Sequence, residues 1–137
     1  MKKLYILLLS FITTASFSQA TDLFFSQYGE GSSNNKFIEI YNGTGQDVDL
    51  SNYAFPSVGN DPDVPGTHEY WNNFPEGAVI ANGDVYIIAH PSASAEILDT
   101  ADHTHQYLSN GDDGYALALG SEESYTYIDF IGDFNGD

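Results

Sequence analysis

The chain contains no cysteine and no arginine, and two of its three lysines lie in the first three residues. Without cysteine there is no disulfide framework, no thiolate metal site, no cysteine nucleophile and no lipid attachment through an N-terminal cysteine. Without arginine, and with Lys36 the only cation past the N-terminal pair, the chain lacks the positive charge that a developing phosphoryl anion requires. That argues against a nuclease or phosphatase centre of its own. A Gly-x-Ser-x-Gly nucleophile elbow is also missing, and nothing in the order of the 20 acidic residues picks out a glycosidase pair. With no catalytic constellation in view, the chain is not expected to be an enzyme.

Long apolar runs are equally scarce. Leu4 to Ile12 follows Lys2 and Lys3 and precedes the small and polar segment Thr13 to Ser18. This is the layout of a cleavable signal peptide, and the run is short of the ~20 residues that span a bilayer. Residues 1–18 are therefore expected to be removed on export, with Gln19 as the new first residue; cleavage after Ala20 is the alternative. No later segment reads as a membrane span.

What is present is acid and aromatic side chain. The formal charge is −17. Loss of the two leader lysines would leave Lys36 against 20 acidic residues, near −19. Such a surface repels polyanions, so direct binding of nucleic acid or anionic membrane is not expected. Ten Tyr, nine Phe and 42% hydrophobic residues argue against disorder and can supply a core without covalent staples.

The aromatic and β-branched residues fall in short runs separated by Asn, Gly, Asp and Pro, the pattern of an all-β sandwich or barrel. The runs are Asp22 to Tyr28, Lys36 to Asn42, Val48 and Leu50 leading to Tyr53–Phe55, Val79-Ile80, Asp84 to His90, Gly114 to Leu119 and Tyr125 to Ile131. Ile38 and Ile40 alternate with polar or aromatic neighbours and mark a core face. Val85 to Ala89 is apolar on both faces and belongs at the centre of a sheet. Asn82-Gly83 signals a tight turn, and Gly120 to Glu123 the turn of a hairpin. Pro56 to His68 reads as a loop, and Ser92 to Ala101 as a connection with one helical turn.

Several segments go beyond generic pattern. The stretch from Phe25 through Gly29-Glu30-Gly31-Ser32-Ser33-Asn34-Asn35 to Lys36-Phe37-Ile38-Glu39-Ile40-Tyr41-Asn42 resembles the opening motif of bacterial lamin-tail domains. So do Val48-Asp49-Leu50-Ser51-Asn52-Tyr53, Asn110-Gly111-Asp112-Asp113-Gly114 and Tyr127-Ile128-Asp129-Phe130-Ile131-Gly132, in the family's order. The resemblance implies an immunoglobulin-like β-sandwich over residues 19–137 with no catalytic apparatus. Relatives of that kind are accessory modules of secreted or surface proteins, often beside hydrolase domains. They continue to a last strand with Trp and Arg, whereas this chain stops at Asp137, so a fragment lacking its last strand is part of the expectation.

Candidate chemistry is sparse. Asn110, Asp112 and Asp113 crowd oxygen ligands into one turn, a common source of Ca2+ ligands, although Asx-type turns use the same residues more often. Asp133, Asn135 and Asp137 begin a D-x-N-x-D calcium loop whose later positions are missing. His103 and His105, if extended, would share a face near Asp99 and Asp102 and suggest a metal site, weakly. Trp71 with Tyr70 and Phe74 would make a sugar-stacking face, but a lone Trp in a sandwich more commonly anchors the core, and that reading is preferred. Asn42-Gly43-Thr44 fits a glycosylation sequon and reads first as a turn. The expectation is an exported, non-catalytic module for binding, adhesion or positioning on a surface protein or polysaccharide, stabilised by Ca2+. The alternatives are the N-terminal accessory domain of a secreted nuclease or phosphoesterase, and a carbohydrate-binding module.

Overall fold

A computed structural model describes residues 19–60, 62–108 and 111–136. The expected signal segment 1–18 lies outside these residues, as do two candidate calcium ligands, Asn110 and Asp137.

The described chain runs β1 (Phe24–Glu30), β2 (Lys36–Tyr41), β3 (Val48–Asp49), a 3-10 turn (Leu50–Asn52), β4 (Tyr53–Ala54) and β5 (Ser57–Val58). It continues through β6 (Val79–Ile80), β7 (Val85–Ala89), the one-turn helix α1 (Ala95–Leu98), β8 (His103–Thr104), β9 (Gly114–Ser121) and β10 (Ser124–Gly132). One sheet has the order β1-β2-β7-β8. The facing sheet has the order β10-β9-β4 with β5 also on β9, and β3 pairs β6 at one end. This is the expected all-β, immunoglobulin-like sandwich.

Alternation places the core. Ile38 and Ile40 of β2 lie opposite Ile88 and Tyr86 of β7, and all four are buried together with Phe25, Phe55, Tyr115 and Leu117 between the sheets. Strand β7 is central, as its two-sided apolar character predicts. Strand β9 is covered on its second face too, where Ala116 packs with Val58 and Phe134. Glu39 points the other way and accepts the Ser26 hydroxyl at 2.7 Å.

Three departures from the sequence reading have local causes. Strand β1 starts at Phe24 because Asp22 turns back, its carboxylate accepting from the Leu23 N–H and the Tyr53 hydroxyl, both at 2.8 Å. The run from Val48 to Phe55 is broken where Asp49 caps the 3-10 turn by accepting from the Ser51 N–H at 2.8 Å. The stretch Pro56 to His68 is not wholly loop. Ser57 and Val58 pair with Tyr115 and Gly114 of β9, so the segment leaves and re-enters the sheet.

The two sheets are also pinned together across their open side. Strand β1 bulges at Ser26 and β10 bulges at Ile128. There the Asp129 carboxylate accepts from the Phe25 N–H at 2.7 Å. The carboxylate thereby satisfies a backbone donor on β1, the edge strand of its sheet.

Candidate functional site

A concavity of about 1020 Å3 opens between the segment after β5 and the segment after β8. Both walls follow from strand pairing.

The first wall is built by the segment that leaves the sheet at β5. Ser57 bridges Tyr70, with the Ser57 N–H donating to the Tyr70 carbonyl at 2.9 Å and the Tyr70 N–H donating back at 3.1 Å. The tip is closed by carboxylates acting on backbone. Glu69 accepts from the Gly59 and Asp63 N–H groups, both at 3.1 Å, and Asp113 accepts from the Asn60 N–H at 2.6 Å. Asn72 donates to the Phe55 carbonyl and the Ser57 hydroxyl. Tyr70 and Trp71 are left at the rim. Tyr70 is 61% exposed. Trp71 donates from Nε1 to Asn73 at 3.0 Å and rests against the rings of His68 and Tyr125, each 5.2 Å away.

The preferred core position of Trp71 is therefore corrected. Trp71 belongs to neither buried cluster and instead lines the cleft. Phe74 is the core residue of that trio, 5.1 Å from Phe55 and 5.5 Å from Tyr86. The aromatics on the outer face continue through Tyr127, whose hydroxyl lies 2.7 Å from His68 Nδ1. Burial, followed by the Tyr125 contact, pushes the Tyr127 phenol up to about 12.

The second wall is carried by β8, a strand not separated from its surroundings in the sequence. It runs parallel to β7, with His103 opposite Ile88, and is held by the His105 N–H on the Ala89 carbonyl at 2.9 Å. Extension does put both histidines on one face, but that face meets Phe55, 5.6 and 5.3 Å from the two rings. Burial holds both imidazoles below their ordinary value of 6.5, and the neighbouring His103 and His90 depress His105 further. Tyr107 follows, 77% exposed, while its carbonyl accepts the Tyr115 hydroxyl at 2.8 Å. Between the walls His90 is buried. Its Nδ1 accepts from the Ser92 N–H at 3.0 Å, and its Nε2 lies 3.3 Å from the Gln106 side-chain amide nitrogen.

The calcium candidates are placed differently. The turn of Asp112 and Asp113 adjoins that of Asp133 and Asn135, since the Asp133 N–H donates to the Asp113 carbonyl at 3.1 Å. Asp112 is exposed and Asp113 buried. One Asp133 oxygen accepts from the Gly136 N–H at 2.8 Å, and Glu30 accepts from the Gly111 N–H. Among the described residues no group of three or more His, Asp or Glu side chains is set to hold a metal. The sequon residue Asn42 is fully buried in its turn.

Among the described residues no helix is long and apolar enough to cross a membrane. The Lamin Tail Domain family model matches residues 16–132. No curated protein matches the chain.

Proposed function

The chain belongs to the lamin tail domain family, and from that premise we propose that it is an exported, non-catalytic module that binds a surface partner through the Tyr70–Tyr107 cleft. One observation carries this reading. Tyr70 and Tyr107 are the two most exposed large hydrophobic side chains of the described residues, and they line the same cleft from different segments. Exposed aromatics that converge on one concavity favour a recognition site over scattered surface residues. Two of the cleft's three carboxylates, Glu69 and Asp113, accept backbone N–H groups, a structural use that fits binding better than acid-base chemistry.

Retention of the protein on insoluble cell-surface material tests the binding claim. Tyr107→Ala should lower retention at least about tenfold, as removal of a central aromatic contact does, and equal retention of variant and parent would overturn it. Export is tested by intact mass: the protein recovered outside the cell should lack residues 1–18. Calcium belongs to the proposal as a stabiliser of a strongly acidic domain, because clustered anions repel one another and disfavour the compact state. At millimolar calcium a site of about 10 μM affinity would add about 2.7 kcal/mol. Equal melting temperatures in calcium and in chelator would remove that part.

A further inference from the structure

A sugar ring offers a C–H face that stacks on aromatic rings and a rim of hydroxyls that pair with amides and carboxylates. The cleft carries both. Tyr70 and Trp71 stand on one side and Tyr107 on the other, with Asn34, Asn60 and Gln106 in the same lining. Trp71 is braced from behind by His68 and Tyr125, which fixes its ring at the rim and lowers the entropy lost on stacking.

Charge and polarity narrow the class. Lys36 is the only cation in a lining that also holds Glu69, Asp113 and Glu122, on a domain of strong negative charge. Polyanions are therefore repelled. A cationic ligand would need several carboxylates directed at it, but Glu69 holds the Gly59 and Asp63 N–H groups and Asp113 holds that of Asn60, which leaves Glu122 of the three. A lipid chain or apolar helix would cover the amides without hydrogen bonds, which costs free energy for each group. The volume, about 1020 Å3, is at the upper end of small-ligand sites and suits several consecutive rings more than one.

Resting on the binding reading above, we propose that the ligand of this cleft is an uncharged polysaccharide chain, stacked on Tyr70, Trp71 and Tyr107. The test is native-gel affinity electrophoresis of the exported protein in galactomannan, xyloglucan, laminarin and dextran, with polygalacturonate and poly-lysine as charged probes. The lone tryptophan at the rim allows the same titrations to be read by fluorescence. At least one uncharged polysaccharide should retard the protein and shift Trp71 emission. Tyr70→Ala and Tyr107→Ala should each weaken that binding about tenfold or more, without lowering the melting temperature, because both side chains are exposed. Retardation by none of the four, by the charged probes alone, or equally in the tyrosine variants would overturn the proposal. If retention on cell-surface material still depends on Tyr107 while none of the four polysaccharides binds, the ligand class fails and the binding module stands. If Tyr107 matters to neither, both fail.

Discussion

Among single residues, Asn42 carries a dense set of polar contacts. Its amide donates to the Gln46 and Ile80 carbonyls at 2.8 and 2.9 Å and its oxygen accepts from Thr44 N–H and hydroxyl at 3.0 and 2.7 Å. Asn42→Ala would strand buried carbonyls, and chemical denaturation should show a loss of about 3 kcal/mol. The sequence signals a turn here, but not that its side chain joins two loops. Gly132 is a second case. Its φ of 75° is left-handed, and a Cβ there would collide with the Asp113 carbonyl oxygen. Gly132→Ala should cost about 2 kcal/mol in the same assay, whereas a cost near zero would mean that the turn can rearrange. Trp71 shows the limit of composition: nothing in a lone Trp tells core from rim, because the pairing of Ser57 with Tyr70 decides its position.

At the level of elements, legibility follows the range of the interactions. Strands β2, β7, β9 and β10 could be read because alternation or a two-sided apolar run is local. The two-residue strands β5 and β8 could not, since each exists only through a distant partner, β9 and β7 respectively. Strand β8 has a consequence for pH. The imidazoles of His103 and His105 lie against Phe55 and Tyr86, with Asp102 and His90 the charged or titratable neighbours that act on them. Their folded values sit below 6.5, so between the two values the unfolded chain binds more protons. Their stabilising contribution is present above pH 6.5 and is lost as pH falls toward the folded values. Melting temperature should therefore drop between about pH 7 and about pH 5, above the range in which most carboxylates titrate. A His103→Phe, His105→Phe double variant should flatten that slope, and an unchanged slope would place its origin elsewhere. The latch between sheets is tested by Asp129→Ala, which should lose about 2 kcal/mol, the usual worth of a hydrogen bond to a charged acceptor.

For the whole molecule, electrostatics opposes the fold. With a formal charge of −17, self-repulsion disfavours the compact state. Melting temperature should then rise as sodium chloride goes from about 10 mM to about 0.5 M, because screening shortens the reach of that repulsion. A fall would show that attractive pairs dominate. The overall architecture was legible from landmarks spread along most of the chain. The cleft was not, because its walls come from segments that meet only when the sandwich closes. The burial of Asn42 reaches beyond stability, into how the protein can be made. In a host that transfers glycans to nascent chains, the Asn42-Gly43-Thr44 sequon meets the transferase before β2 has found β7. A glycan on that nitrogen has no place in a turn whose amide donates to carbonyls of two loops. Folding and modification would compete for the same atom, and each modified chain would be withdrawn from the folded population.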